Sequence, residues 1–245
     1  MKKIKGLLLK DILQTKSYFI SNCLLCLLFC VLFVFQIFAF KNGGSGNGYN
    51  TGMPEETPND LEILQSALFS SFFYFCIFPI YSCSGIALSF QQDERCNFDK
   101  FAISSGIKRD VIVFEKAVFG GVVAIPGLFL TLLACIFLSF LQNNYATPLL
   151  SIYFFINVFS GYLISIIVSL VLCTFLGSVK GRIWTSIATF LTFILQSAVF
   201  GLYIMFGLDN ALISSLITFI YLAVAVGVFI GGFFLARAAY RNKEF

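Results

Sequence analysis

No histidine occurs among the 245 residues, and only 11% of them are charged, against about a quarter in an ordinary soluble domain. The first absence removes whole classes of membrane enzyme. Ser-His intramembrane proteases, His-liganded metalloproteases and His-dependent membrane phosphatases each need imidazole as base, ligand or nucleophile. A G-x-x-x-x-G-K-[ST] nucleotide loop is also lacking, and the glycine-rich "GGSGNG" at 43–48 falls on the outer side by the charge distribution given below, away from ATP. Ion-coupled carriers and pumps place Asp, Glu, Lys or Arg in the membrane to bind the coupling ion. The deep parts of the apolar stretches here carry none, since Glu62, Glu115 and Lys116 lie at their ends. The chain therefore reads as a non-catalytic membrane component that draws its energy from elsewhere.

What is present is apolar helix. Hydrophobic residues make up 59% of the chain, and the mean hydropathy is +0.92. Six stretches free or nearly free of charge, at about 17–40, 62–90, 112–141, 149–179, 183–206 and 211–236, reach the ~20 residues that a helix needs to cross a hydrocarbon core. Backbone polar groups stay paired in lipid only within helices or closed barrels, and these runs lack the alternation of barrel strands. The expected fold class is an all-α integral membrane protein, a single transmembrane domain over 1–245 with six transmembrane helices. Pro79 and the Gly120-Gly121 and Pro126-Gly127 pairs are expected bends in the second and third spans.

Lysine and arginine set the orientation. With both termini cytoplasmic, 15 of the 16 Lys and Arg fall inside and only Lys41 lies outside, the asymmetry of a positive-inside protein. The outer segments are a Gly-, Asn- and Pro-rich loop at 41–61, carrying Glu55, Glu56 and Asp60, and the turns "QNNYATP" and "GLDN"; none amounts to a domain that could capture a substrate. Seven of the eight cysteines (Cys23, Cys26, Cys30, Cys76, Cys83, Cys135, Cys173) fall within spans and Cys96 in an inner loop, so no disulfide framework is expected. Cys23, Cys26 and Cys30 share a helix face, but no His or carboxylate stands near to complete a metal site, and helix packing accounts for them. The sixteen residues before the first span are too long and too well patterned for a signal n-region, and no small-residue cleavage site follows, so the first span is expected to remain in the mature protein. Within those residues Ile4, Leu7, Leu8 and Ile12 form an apolar face opposite Lys3, Lys5 and Lys10, an amphipathic helix suited to the inner leaflet.

One polar island stands out on the inner side: "QQDERCNFDKFAISSGIKRD", residues 91–110. Phe98, Phe101, Ala102 and Ser105 recur at i, i+3, i+4 and i+7 while Asp99, Lys100 and Ser104 point elsewhere, so a short amphipathic helix is expected over 97–105. Gly106 breaks it, and "KRDVIVFEK" restarts a helix that enters the third span. Such a segment serves either as a docking knob for a partner or as an interfacial helix anchored by its Phe rings.

The island resembles the cytoplasmic loop between the second and third spans of small ABC-2-type permeases. The matching features are Asp93-Glu94, Phe98-Asp99-Lys100-Phe101, Ser104, Gly106, Lys108-Arg109 and the closing Lys116. The opening "KGLLLKDILQTKSYF" at 5–19, with Lys10-Asp11 just before the first span, is similar to that family's amino-terminal start. The resemblance implies the permease subunit of an ATP-binding-cassette exporter in a bacterial cell membrane. This chain then binds no cofactor, and ATP and magnesium sit on a separate ATPase subunit. A second permease copy, identical or paralogous, completes the unit. The loop helix becomes the coupling helix, with Asp93, Glu94, Arg95, Phe98, Asp99, Lys100, Phe101 and Ser104 toward the ATPase, and Lys3, Lys5, Leu7, Leu8 and Lys10 anchor the amino-terminal helix at the membrane lipid.

Within the family the chain looks most like the permeases of phenol-soluble modulin exporters, which expel amphipathic peptide toxins; bacteriocin-immunity permeases stand as the alternative. The 32 Phe and 10 Tyr accord with an apolar or amphipathic peptide substrate, although lipid-facing Phe accounts for most of them. A substrate-binding membrane subunit of a vitamin importer also has about six helices, but calls for more polar ligand-binding residues near the outer loops. A channel needs a polar stripe, and "SGYLISIIVS" at 160–169 offers only Ser160, Tyr162, Ser165 and Ser169, which is also ordinary small-residue helix packing.

Overall fold

A computed structural model describes residues 2–43, 84–141, 147–207 and 211–242. The regular structure among them is helical: α1 (Lys2–Gln14), α2 (Lys16–Gly43), α3 (84–95), α4 (Phe98–Ser104), α5 (Arg109–Leu141), α6 (Thr147–Gly207) and α7 (Ala211–Arg241). The glycine-rich outer loop, most of the expected second span with Cys76, Pro79 and Cys83, and most of the turns "QNNYATP" and "GLDN" lie outside the described residues.

Leu, Phe, Ile and Ala dominate these helices, and their ends follow local chemistry. At the α1–α2 junction the Thr15 hydroxyl donates to the Asp11 carbonyl at 2.7 Å, a bond back along the helix that bends it. The two helices meet at 70°, so α1 turns away from the direction of α2. Tyr18 and Ser84 join α2 to α3 through their hydroxyls, and the Asn22 amide donates to the Val123 carbonyl of α5 at 3.1 Å.

α6 is 61 residues long, about 90 Å if straight, three times the thickness of a hydrocarbon core. It is instead a hairpin. Gly177 sits at φ 77°, ψ 174°, a backbone conformation that side chains rarely adopt, and residues on either side of it meet in pairs. A Cβ on Gly181 would lie 2.9 Å from the Cys173 Cα, and one on Gly161 would collide with the Gln196 amide. That amide donates to the Asn157 carbonyl at 3.0 Å. The limbs 147–176 and 178–207 therefore run antiparallel around Gly177, where the sequence placed two spans joined by an inner turn with Lys180 and Arg182.

α5 continues as one helix from Arg109 to Leu141 with Pro126 inside it, so it runs unbroken past Gly120-Gly121 and Pro126-Gly127, where bends were expected. Gly120 has another use: a Cβ there would approach Ile86 Cδ1 to 2.6 Å and Ile166 Cγ2 to 2.9 Å, and its absence lets α3 and α6 close on α5. The core gathers Ile86 and Phe90 of α3, Ile112 and Val113 of α5, Phe154, Val158, Tyr162 and Leu170 of α6, and Ala236 and Tyr240 of α7. Ala102 of α4 belongs to the same core, so the loop helix is integral to the bundle. Outward faces carry Phe190, Leu191 and Ile194 on the second limb and Leu212, Leu216, Phe219, Ile220 and Phe234 on α7, the exposed apolar surface of a protein that sits in lipid.

Among the described residues, Arg109–Ile136, Ile152–Val199 and Leu212–Arg241 are long and apolar enough to cross a membrane, and Ile4–Gln14 with Lys16–Phe29 qualify only when taken together. The middle segment is the hairpin and is long enough to cross twice. The end of α3, α4, the start of α5, the Gly177 turn and the end of α7 all lie at one end of the bundle, as the contacts Glu94–Ser178 and Asp110–Arg237 require. That charged end carries α1 as well.

Candidate functional site

α4 is seven residues long and both of its ends are shaped by the sequence. Asn97 precedes it at φ 50°, a left-handed conformation that Asn tolerates better than most residues. At the other end the Ile107 N–H donates to the Ala102 carbonyl and the Gly106 N–H to the Ile103 carbonyl, both at 3.0 Å, with Gly106 at φ 78°. This is the Schellman arrangement, which closes a helix where a glycine can take the left-handed position.

The buried face of α4 differs from the one expected. Asp99 (4% exposed) and Ala102 (0%) face inward, whereas Phe101 is 66% exposed. Phe98 and Ile103 are half-buried against the core, and Lys100, Ser104 and Ser105 are exposed. The pairing of Asp99 with Lys100 on one solvent face is thus corrected. Ala102 is small enough to let α4 approach the bundle, and Asp99 is carried inward on the same face, into the electrostatic neighbourhood of Tyr240 of α7. The Phe98 ring lies beneath the Lys10 ammonium, 3.7 Å from its centroid, and 6.3 Å from the Phe101 ring.

Beneath α4 lies a buried charge cluster. Lys116 of α5 (0% exposed) contacts Asp11 of α1 at 2.6 Å and Asp93 of α3 at 2.5 Å, and it donates to the Ser89 hydroxyl. Lys10 contacts the same two aspartates, at 2.8 and 2.5 Å. Ser89 in turn donates to Asp11 at 2.6 Å. Ion pairs removed from water need their remaining lone pairs and protons matched; here each lysine bridges both aspartates and Ser89 serves Asp11, while Asp11 Oδ1 and Asp93 Oδ2 are met by ion-pair contacts alone. In α1, burial on its own raises the Asp11 carboxyl, but the Lys116 and Lys10 ammoniums outweigh it and hold that carboxyl below the ordinary carboxylate range.

The remaining acids at this end also serve the bundle. Glu94 accepts hydrogen bonds from the Ser178 N–H at 3.1 and 3.2 Å and from the Ser178 hydroxyl. An anion is thereby set at the N-terminus of the second α6 limb, where the helix dipole favours it. Gln92 donates to the Gln14 carbonyl at 3.1 Å. Asp110 pairs with Arg237 at 2.7 Å and with Arg241, and Arg109 donates to the Arg241 carbonyl, tying α5 to the end of α7.

Of the eight residues assigned to ATPase coupling, the structure places Glu94, Arg95, Lys100, Phe101 and Ser104 at the surface. Phe98 is half-buried, Asp93 and Asp99 are buried, and Glu94, though exposed, also engages Ser178. The inward face of α1 contains the Ile4–Leu7–Leu8–Ile12 stripe, with Ile4 and Ile12 half-buried, and extends to two polar residues. Leu7, Asp11 and Thr15 are buried, Leu8 is half-buried, and Leu9 (58%) and Leu13 (62%) are exposed. Lys5 is exposed, the Lys3 side chain lies outside the described residues, and Lys10 turns to the aspartates. Asp11, Ser89, Glu115, Ser178 and Tyr240 were not singled out from the sequence as site residues. Two signals pointed at them: Asp11 stands four residues after Leu7 on an apolar face, and Glu115-Lys116 open an apolar run, where an unmatched charge is costly.

Comparison with known families matches residues 63–238 to a model described as ABC-2 family transporter protein. Comparison with curated proteins and with solved structures finds no match. The family match spans well over half of the chain, so the chain belongs to the ABC-2 transporter family. It is a multi-pass membrane permease component of an ABC transporter, a class of subunit that works with an ABC ATPase and is generally non-catalytic.

Proposed function

We propose that this ABC-2 family chain is the permease subunit of an ATP-driven exporter and that α4 is the coupling helix through which a separate ATPase moves it. The observation that carries this reading is the two-sided character of α4. Its inner face is tied to α1 through Lys10 over Phe98 and to the bundle core through buried Ala102, with Asp99 buried beside it. Its outer face presents Phe101, 66% exposed, beside exposed Lys100 and Ser104. A helix gripped on one side with an aromatic side chain on the other has the form of an interface anchor. ATP and magnesium belong to the partner ATPase, two permeases and two ATPases form the unit, and α4 with both termini faces the cytoplasm of a bacterial cell. The substrate class that best fits so aromatic a chain is a hydrophobic or amphipathic peptide, as in the phenol-soluble modulin exporters it resembles.

The test is Phe101→Ala in the permease–ATPase complex. Truncating a buried interface anchor costs about 2 kcal/mol or more, which corresponds to roughly thirtyfold weaker association. The ATPase should co-purify poorly and export of amphipathic helical peptides should fall, with the permease expressed at its normal level. Undiminished export with the ATPase still bound would show that Phe101 faces lipid and that α4 is an interfacial helix.

A further inference from the structure

A second charged corner lies where α5 begins and α7 ends, and its charges do not cancel. Asp110 pairs with Arg237 at 2.7 Å and with Arg241, Arg109 donates to the Arg241 carbonyl, and exposed Lys108 stands one residue before it. Buried Asp99 also comes near, because Tyr240 lies within the field of both Asp99 and Arg109. Four cations then face two carboxylates, and the surplus is open: the Arg241 side chain is 53% exposed and that of Arg237 36%. The apolar spans Arg109–Ile136 and Leu212–Arg241 begin and end on these arginines, which sets the corner at the boundary between hydrocarbon and water. Aromatic rings continue from it toward the hydrocarbon. Phe114 stands one turn along α5 from Asp110, and Phe233 and Phe234 one turn back along α7 from Arg237. The Phe114 and Phe233 rings meet edge-on at 6.3 Å, and Phe234 lies 6.2 Å from Phe233. Phe114 and Phe234 remain exposed. One turn deeper, a Cβ on Gly231 would meet nothing within 4 Å, so the outer face of α7 carries a shallow furrow beside exposed Ile230.

We propose that the α5–α7 corner binds one anionic phospholipid of the adjoining leaflet, with its phosphate on the Arg237 and Arg241 guanidiniums, Lys108 at the rim, and an acyl chain along Phe114, Phe234 and the Gly231 furrow. The charge surplus fits an anion, and the planar guanidinium fork matches phosphate oxygens in pairs. Basic pockets between membrane helices at the water boundary take anionic head groups on the same physical grounds. The rings decide between a lipid and a soluble anion. A free phosphate has nothing to place against Phe114 and Phe234, whereas a phospholipid joins its charge to an apolar chain over the distance that separates the arginines from the rings. Asp110 plays two parts in this arrangement. It holds both guanidiniums at the corner, and it competes with the phosphate for them. Its removal therefore loosens the tie between α5 and α7 and strengthens the hold on the head group, two effects of opposite sign.

The inference stands apart from the coupling role of α4, and its test needs no ATPase. The full-length chain in detergent is incubated with equal amounts of dioleoyl phosphatidylglycerol and dioleoyl phosphatidylcholine, and the lipid retained on the protein is counted by native mass spectrometry. Wild type should keep phosphatidylglycerol in preference, and excess inorganic phosphate should not displace it. Arg241→Gln and Lys108→Gln should each reduce the preference about fivefold, the effect of one cation near a head group. Lys108 is exposed and gives a second reading if Arg241→Gln fails to fold. Lys180→Gln removes an exposed cation at the same end of the bundle, on the α6 turn, and should leave the preference unchanged. Folded Asp110→Asn should raise it. Equal retention of the two lipids, an equal loss in Lys180→Gln, a weaker preference in folded Asp110→Asn, or displacement of the lipid by inorganic phosphate overturns the assignment.

Discussion

Lys116 is joined to Asp11, Asp93 and Ser89 at once, and three helices meet through that one ammonium. Its removal strands two buried aspartates with Lys10 as their remaining cation, and Lys10 is 18% exposed. Breaking a buried pair by deleting one partner typically destabilises by about 3–5 kcal/mol, because the other charge stays buried without compensation. Lys116→Met should therefore lower the thermal unfolding midpoint of the detergent-solubilised protein sharply. Lys116→Met combined with Asp11→Asn, which removes one of the stranded charges, should recover part of the loss. Equal midpoints for wild type and Lys116→Met would mean that the cluster contributes nothing to holding α1, α3 and α5 together.

At the scale of elements, the α6 hairpin turns without a loop, and the turn rests on two side chains or their absence. Gly177 takes φ 77°, ψ 174°, a region essentially restricted to glycine where an L side chain adds about 1–3 kcal/mol of strain. Glu94 caps the limb that follows through Ser178, a contribution of about 1 kcal/mol. Gly177→Ala and Glu94→Gln should each lower the unfolding midpoint, the first by more. Because Glu94 holds the turn from α3, Glu94→Gln should also speed hydrogen exchange at Ser178 and in the turn after it. Unchanged exchange there in Glu94→Gln would show that the turn holds without its cap. In α1 periodicity put Ile4, Leu7, Leu8 and Ile12 on one face, and all four are buried or half-buried while Leu9 and Leu13, off that face, are exposed; what periodicity missed is that Asp11 is fully buried beside them. A charged side chain that meets Lys116 from 105 positions away, together with its own neighbour Lys10, can be buried beside the leucines, and no periodicity encodes that distant partner.

Across the whole molecule, what was legible in the sequence is what depends on hydropathy and chain punctuation. The helical stretches, the turn near Lys180 and the short helix of the polar island all follow from apolar runs, glycines and the spacing of Phe98, Phe101 and Ala102. The orientation of individual side chains was not legible: Asp93 and Asp99 read as solvent-facing yet are buried, Asp93 against Lys116 from 23 positions away, while Glu94 stays exposed but meets Ser178 from 84 positions away. The side of the membrane that the charged end occupies rests on the charge asymmetry of the chain, and it can be measured directly. Cys96 is exposed at that end, two residues before α4. An impermeant thiol reagent applied to intact cells should leave Cys96 unlabelled until the membrane is permeabilised. Ser45→Cys and Asn143→Cys, introduced singly into a background stripped of native cysteine at the two expected outer turns, should label at once. Labelling of Cys96 in intact cells would place α4 on the outer face. No ATPase could reach it there, and the coupling role would fail whatever Phe101→Ala did to transport.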